Sequence, residues 1–138
     1  ISKETPATGS PWNYRMFINQ TTGRLVGDIA TSSTSTNATG TTNVADGNWH
    51  MGTLVRNTST DKIYLYVDGA LQTQSTDTTV GTLINSQEVW IGRSAFTGQS
   101  PSGSYPFVGS IAQAFIYDRA LTSIEVAHNY NATKVRYV

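Results

Sequence analysis

Side chains that could carry acid–base catalysis are few in this sequence, and their spacing does not pair them. The chain has three glutamates, Glu4, Glu88 and Glu125, and two histidines, His50 and His128. Hydrolysis of a glycosidic bond with retention of the anomeric configuration needs two carboxyl groups about 5 Å apart. Glu88 has no acidic neighbour in its segment, Glu4 lies near the start of the sequence, and Glu125 fits a helix cap. We therefore predict a non-enzymatic protein in which His50 is a half-buried hydrogen-bonding residue and His128 lies on the terminal helix.

Four aspartates near predicted strand ends and loops are candidate calcium ligands: Asp28, Asp46, Asp61 and Asp77. Calcium takes several oxygen ligands at about 2.4 Å, typically carboxylates together with backbone carbonyls. Aspartates in loops also form turns without a metal, so turn formation is the alternative for each of them. The absence of cysteine excludes thiolate zinc sites, cysteine nucleophiles and disulfide bonds. Calcium is thus the one cofactor that the sequence leaves open.

Aromatic and amide side chains supply candidates for sugar binding. A sugar ring stacks on an aromatic face while its hydroxyl groups bond to amides and carboxylates. Trp12 and Tyr105 stand next to prolines in predicted loops, so we expect them to be exposed. The alternative for each aromatic side chain is a place in the core. The candidate ligand-binding residues are Trp12, Tyr14, Asn48, Gln99 and Tyr105.

Composition narrows the class of protein. A length of 138 residues fits one domain with its own core. Nine basic and nine acidic residues leave no net charge. A nucleic-acid-binding protein needs a basic field, so nucleic acid is not a predicted partner. No apolar run approaches the roughly 18 residues of a membrane-spanning helix, so we predict no membrane span.

Alternating apolar and polar residues predict β-strands along most of the chain. The Asp68–Gly69 pair lies between two such runs and predicts a two-residue hairpin turn. The polar stretch 31–48 leaves room for one further strand, and the stretch 95–106, rich in Gly, Ser and Pro, predicts a surface loop. The predicted strand segments are 13–19, 23–30, 49–57, 62–74, 88–94 and 107–118.

One short helix is predicted near the end of the sequence. Thr122 and Glu125 form the capping-box pattern, in which each side chain binds a backbone N–H of the other residue. Leu121 and Val126 can pack on each other across the cap, while Ile124 extends an apolar stripe. About eight residues, ending near 129–131, do not hold a helix in water. The helix must therefore dock on the sheet.

The order and spacing of several short pieces identify a family resemblance. The pieces are Trp49-His50, "YVDG" (66–69), "WIG" (90–92), Phe107, Gly109, Ile111, "IYDRAL" (116–121) and Glu125. They resemble the laminin-G-like domains of the concanavalin A-like lectin/glucanase superfamily. The resemblance implies an all-β, antiparallel jelly-roll β-sandwich with one short C-terminal helix, formed by a single domain over 1–138. It also implies core positions for Trp49, Trp90 and Phe107.

Two departures from the family qualify these expectations. Family members usually carry about three further strands before a segment like the first residues here, so the first strands of the jelly roll are expected to be missing. Either the sequence is incomplete or another chain supplies those strands, because a sandwich without them exposes apolar surface and unpaired edges. Related glycanases place an E-x-D-x-x-E pattern on one strand, which this sequence lacks. Ala112-Gln113 also stands where the family often has an acidic pair.

The last residues of the sequence suggest the kind of assembly to which the protein belongs. The stretch 129–137 resembles the ending of laminin-G-like modules in virion proteins of tailed bacteriophages. The resulting hypothesis is a structural or recognition module of a phage virion, oligomeric in its assembly, serving as a capsid decoration, fibre or tail-associated domain. Its partners would be other virion proteins or additional chains that complete the sheet, with glycan adhesion as a second role. The alternatives are a secreted or cell-surface lectin domain and a fragment of a glycanase.

Overall fold

Two antiparallel sheets and one helix make up the part of the chain that the structure describes. The structure, a computed structural model, describes residues 1–3, 13–31, 34–79, 83, 86, 88–93 and 106–137. The elements are β1 Ser2–Lys3, β2 Tyr14–Ile18, β3 Arg24–Ala30, β4 Ser35–Asn43, β5 Gly52–Asn57, β6 Lys62–Val67, β7 Ala70–Thr76, β8 Val89–Trp90, α1 Ser123–Thr133 and a 3₁₀ turn at Lys134–Arg136. One sheet has the strand order β4-β3-β2-β1-β8 and the other β5-β6-β7. The predicted all-β sandwich is confirmed.

The core lies between the two sheets. Alternate side chains of each strand point to the same face of its sheet. The inward-facing side chains of β3 and β4 therefore meet those of β6. The sheets approach closely where Gly27 of β3 faces Leu54 of β5. A Cβ atom at Gly27 would lie 2.6 Å from Leu54 Cδ1, so any larger residue there would require the Leu54 side chain to shift. The buried residues of this cluster are Leu25, Ile29, Ala38, Ile63, Leu65 and Val67.

The polar stretch after β3 does contain a strand. β4 pairs antiparallel with β3, and Ala38 in its centre is 1% exposed. At the outer end of β4, Gln72 of β7 accepts hydrogen bonds from the hydroxyl groups of Thr41 and Thr42, each at 2.8 Å. These bonds join the two sheets along one edge of the sandwich.

The hairpin turn forms as predicted. Asp68 has φ 53° and Gly69 has φ 78°, the left-handed conformations that a two-residue hairpin turn requires. The turn also touches the helix, since a Cβ atom at Gly69 would lie 3.2 Å from Ala127 Cα. The turn formed by Asp68 and Gly69 therefore lies against α1, which packs on the end of the β6–β7 hairpin.

The capping box is confirmed. Thr122 Oγ1 accepts a hydrogen bond from Glu125 N at 3.2 Å, and Thr122 N donates to Glu125 Oε2 at 2.8 Å. Leu121 and Val126 lie in one buried cluster with Val55 and Tyr66, as docking on the sheet requires.

Two details of the helix prediction are wrong. The helix continues to Thr133, beyond the predicted end, and the 3₁₀ turn follows it. Ile124 is 79% exposed and is not part of an apolar stripe on the sheet. Only one face of the helix contacts the sandwich, and Ile124 points away from it.

The prediction of a strand over 107–118 is wrong. These residues belong to no strand, and all of them are exposed, with Val108 at 93% and Phe115 at 63%. The physical reason is that a β-strand needs a neighbour for its backbone hydrogen bonds, and none of the described residues pairs with Val108–Asp118. The alternating pattern is present, but the described residues contain no strand that pairs with it.

Core positions for Trp49 and Phe107 are also wrong. Trp49 is 48% exposed and Phe107 is 41% exposed. Trp90 is half-buried, and the guanidinium of Arg93 lies 3.8 Å from the centre of its ring. Trp90 lies on β8 beside β1, whereas Phe107 begins the segment that joins none of the described strands. The predicted surface loop over 95–106 lies outside the described residues except for Pro106.

Candidate functional site

Three parts of the chain meet at one rim of the sandwich. They are the loop between β4 and β5, the β6–β7 turn and the C-terminal 3₁₀ turn. We call this surface the His50 rim and define it by its residues Asp46, Asn48, Trp49, His50, Asp68 and Tyr137. His50 Nδ1 lies 2.7 Å from Asp68 Oδ2, and His50 Nε2 lies 3.0 Å from Asp46 Oδ1. One imidazole ring thus joins the loop to the turn.

The β4–β5 loop is shaped by its own side chains. Asp46 Oδ1 accepts a hydrogen bond from Asn48 N at 2.9 Å, which is an Asx turn, and Asn48 Nδ2 donates to Asp46 Oδ2 at 3.1 Å. Gly47 between them has φ 86°. Met51 N then donates to Asp68 Oδ1 at 2.8 Å, so the second carboxylate holds the loop at its far end.

Hydrogen bonds set the charge of this cluster. The backbone and side chain of Asn48, followed by His50, lower the pKa of Asp46 to about 2. Burial alone would lower the pKa of His50. The bonds to Asp68 and Asp46 outweigh that effect, and the pKa of His50 is raised above its ordinary value of 6.5. Two carboxylates facing one imidazole therefore favour the imidazolium form.

An aromatic pair stands beside the cluster. The ring centres of Trp49 and Tyr137 are 5.2 Å apart with an angle of 37° between their planes. Tyr137 supports the indole ring, of which about half stays exposed. An exposed indole next to the Asn48 amide and the Asp46 carboxylate offers the stacking and hydrogen-bonding groups that a sugar ring requires.

The predicted sugar-binding residues are distributed differently. Trp12, Gln99 and Tyr105 lie outside the described residues. Tyr14 lies on β2 and packs against the core, where burial raises its pKa. Asn48 lies on the His50 rim. Trp49 was missed as an exposed aromatic residue and Tyr137 as its half-buried neighbour, although Asp46 and Asn48, the polar neighbours of Trp49, are a signal in the sequence.

The four predicted calcium ligands do not gather into one site, and three of them have other side-chain partners. Arg15 Nε lies 2.7 Å from Asp28 Oδ2, Arg56 Nε lies 2.6 Å from Asp77 Oδ2, and Asp46 binds His50. Asp61 adopts φ 49°, and its carbonyl accepts a hydrogen bond from Asp77 N at 2.8 Å. Within the described ranges, no group of three or more His, Cys, Asp or Glu residues could hold a metal ion. Asp46 thus bonds to His50 and Asn48, and calcium binding by the predicted aspartates stays a prediction.

Of the remaining acid–base candidates, Glu125 and His128 lie on α1, Glu88 is exposed just before β8, and Glu4 lies outside the described residues. Arg119 Nη2 lies 2.7 Å from Glu125 Oε1, and this pair together with Thr122 lowers the pKa of Glu125 to about 2. An ionised carboxylate in that position accepts hydrogen bonds and cannot act as a general acid near neutral pH. His128 lines a groove of about 330 Å³ between α1 and the preceding segment, together with Tyr117, Arg119, Leu121, Ile124, Glu125 and Asn129.

A family model confirms the class of protein that the fold and the rim indicate. The model of the concanavalin A-like lectin/glucanases superfamily matches residues 2–127. The chain therefore belongs to this superfamily, as a laminin-G-like domain. No curated protein matches the chain.

A solved structure shares the fold. It is an S-layer domain-containing protein (residues 221–444) from Clostridium thermocellum ATCC 27405, with a TM-score of 0.52 and 18% sequence identity. The match covers 89% of this chain and 58% of that chain. At this identity the similarity shows the fold. No helix among the described residues is long and apolar enough to cross a membrane.

Proposed function

We propose that this domain is a non-enzymatic recognition module of the extracellular space or cell surface that docks on a neighbouring polypeptide through residues 107–118. We call these residues the open segment. The observation that carries the proposal is that the open segment alternates like a strand, exposes large apolar side chains, and pairs with none of the described strands.

The open segment is fixed at both ends. Phe107 N donates a hydrogen bond to Gly92 O at 2.8 Å, next to the bridge between Arg93 and Pro106. At the other end, Asn129 Nδ2 donates to Tyr117 Oη at 3.2 Å, and Leu121 is buried. Its path is therefore held close to the sandwich while its middle stays uncovered.

Most of the backbone and most of the large apolar side chains of the open segment stay uncovered in the described part of the chain. Val108–Asp118 form no backbone–backbone hydrogen bond there. Unpaired backbone groups in an extended, apolar segment are a template for another strand. Addition of a strand to such an edge satisfies the backbone, while alternate side chains give specificity.

The chemistry of the open segment indicates the kind of partner. Asp118 is its only charged residue. Attraction between opposite charges therefore contributes little, and hydrogen bonding and apolar burial must select the partner. We commit to an extended β-strand with alternating apolar residues, contributed by a neighbouring polypeptide. This is the partner that would complete the sheet.

The comparisons with known proteins support the proposed extracellular or cell-surface location. The superfamily includes lectins, and the solved neighbour is an S-layer domain-containing protein, which favours the extracellular space or the cell surface. A place on a phage virion stays a prediction. It rests on the resemblance of the stretch 129–137 to endings of phage laminin-G-like modules.

Protection of the open segment in the native assembly tests the docking proposal. The amides of 108–117 are expected to exchange rapidly with deuterium in the isolated chain and slowly in the assembly, because a partner strand would hydrogen-bond them. Phe115→Asp is expected to prevent incorporation, since it puts a charge into the apolar contact. Val135→Asp is the matched control, because Val135 is 72% exposed and lies outside the open segment.

Crosslinking identifies what covers the segment. The chain has no cysteine, so Ser110→Cys creates a unique thiol for a photo-crosslinker, and Ser59→Cys places the same group on a distant turn. A crosslink from position 110 to one extended strand of one polypeptide is expected. Equal exchange of 108–117 in the isolated chain and in the assembly would contradict the proposal.

Glycan binding at the His50 rim is a second candidate function, favoured by the half-exposed Trp49 ring. Trp49→Ala is expected to weaken glycan binding roughly two- to tenfold, because an aromatic stacking contact is worth about 0.5–1.5 kcal/mol. A glycan array followed by calorimetry measures this, with Phe115→Ala as the control at another exposed aromatic residue. Unchanged binding by Trp49→Ala would exclude the rim. Repeating the array with a chelator tests the calcium prediction.

A further inference from the structure

Both nitrogen atoms of the His50 ring face carboxylate oxygens. Nδ1 lies 2.7 Å from Asp68 Oδ2 and Nε2 lies 3.0 Å from Asp46 Oδ1, both within hydrogen-bonding distance. A neutral imidazole carries a single N–H, whereas the imidazolium carries two. A carboxylate oxygen offers only lone pairs. In the neutral form, one of the two contacts would therefore set a nitrogen lone pair against an oxygen lone pair.

We propose that His50 is a pH-dependent latch: as imidazolium it fastens the β4–β5 loop to the β6–β7 turn, and as neutral imidazole it releases one of the two carboxylates. This inference depends on neither proposed function. It goes beyond them by giving the rim a regulatory element.

The elements around His50 supply no competing charge. Asp46 comes from its own loop and Asp68 from the β6–β7 turn. Helix α1 and the 3₁₀ turn contact this region through Ala127, Tyr130 and Tyr137. Their titratable residues are Glu125, His128, Tyr130, Lys134, Arg136 and Tyr137, and in the described part of the chain none of them forms an ion pair with the cluster. The two aspartates therefore decide the protonation of His50.

The direction of the switch follows from the raised pKa of His50. A histidine whose pKa is higher in the folded state contributes its stabilisation below its ordinary pKa of about 6.5. That contribution is lost as the pH rises through the folded-state value. Both carboxylate contacts of His50 are thus held in mildly acidic solution, and one of them is lost at higher pH.

Loss of one carboxylate contact of His50 is expected to affect two neighbouring features of the rim. Trp49 precedes His50, so freeing the loop changes the support of the exposed indole. Met51 N donates to Asp68 Oδ1 at 2.8 Å, so it reports on the same carboxylate. Asn48 N bonds to Asp46 and reports on the other carboxylate.

A pH titration of the whole 138-residue chain by NMR tests the latch. The His50 midpoint is expected above the midpoint of the same residue in the urea-denatured chain, and the Asn48 or Met51 amide should shift with the His50 midpoint. Asp68→Asn should move that midpoint down while its Oδ1 still accepts the Met51 N–H. His50→Gln should abolish the shared amide transition. His128→Gln is the matched control and should leave it unchanged.

The wild-type titration decides the inference even if a variant does not fold. A His50 midpoint at or below the denatured-chain value would overturn the latch. So would a titration of His50 that neither the Asn48 nor the Met51 amide follows, because the ring would then change charge without moving the loop.

Discussion

Replacing Leu65 by alanine is expected to lower the free energy of unfolding by about 2–5 kcal/mol. Leu65 lies on β6 in the cluster between the two sheets and is 0% exposed. The substitution removes buried apolar area and leaves a cavity that flanking strands, fixed by their hydrogen bonds, cannot close. Gly40 of β4 lies over this side chain, because a Cβ atom there would be in ordinary van der Waals contact with Leu65 Cδ2, at 3.7 Å.

Leu71→Ala is the matched control for this prediction. Leu71 lies on the adjacent strand β7 but is 51% exposed, so the same change in composition removes little buried area. Its effect on the free energy of unfolding is expected to stay within about 0.5 kcal/mol. Urea unfolding followed by circular dichroism measures both variants. Equal losses for Leu65→Ala and Leu71→Ala would show that the core is not where the sheets meet.

Replacing Asp77 by asparagine is expected to lower the free energy of unfolding by about 3–5 kcal/mol at neutral pH. The Asp77 side chain is 3% exposed, and its Oδ2 lies 2.6 Å from Arg56 Nε. Arg56 Nη2 also donates to Thr79 Oγ1 at 3.0 Å, and Thr79 bonds to Asp77 in turn. Asparagine nearly keeps the shape but leaves the Arg56 charge, which is 17% exposed, without its counter-charge.

The pH dependence of the Asp77 effect gives an independent check. Burial would raise the pKa of Asp77, but hydrogen bonds from Thr79 and Arg56 outweigh it, so the pKa lies below its ordinary value of 3.8. A lowered folded-state pKa contributes stability above the ordinary pKa and loses it as the pH falls through the folded value. The gap between the wild type and Asp77→Asn should therefore be widest near pH 7 and shrink in acid.

Asp118→Asn is the control for the loss of one carboxylate. Asp118 is exposed and forms no ion pair in the part of the chain that the structure describes. Its substitution is expected to change the free energy of unfolding by no more than about 0.5 kcal/mol. An Asp77→Asn variant as stable as Asp118→Asn at pH 7 would mean that the Arg56 pair contributes no net stability.

Local signals were enough to predict several parts of the fold. Asp68–Gly69 predicted its hairpin because only a few residue types tolerate two successive positive φ values. Thr122 and Glu125 predicted the helix start because both members of the capping box lie within one turn. In each case the interacting groups are close in sequence, and tertiary packing does not have to bring them together.

Pairing between distant segments could not be predicted in the same way. The stretch 107–118 has the pattern of a strand, yet a pattern does not supply the neighbour that would accept its hydrogen bonds. For the same reason Trp49 was expected in the core and is half exposed. Burial depends on what covers a side chain, and that is decided by strands far away in sequence.

The candidate site likewise combines residues that the sequence identified with contacts that the sequence could not predict. Asp46, Asn48 and His50 were each identified as single residues, with Asp46 assigned to calcium, Asn48 to sugar and His50 to a hydrogen bond. Nothing in their spacing placed Asp68, 18 residues after His50, on the other nitrogen of its ring.

The sequence by itself determined that the chain forms stacked antiparallel sheets with a capped closing helix, because alternation, turn residues and caps act over a few residues. Only the tertiary structure decided that His50 lies between two carboxylates and that residues 107–118 pair with none of the described strands. Those outcomes depend on contacts between segments brought together by folding, where small differences in packing and pairing choose the partner.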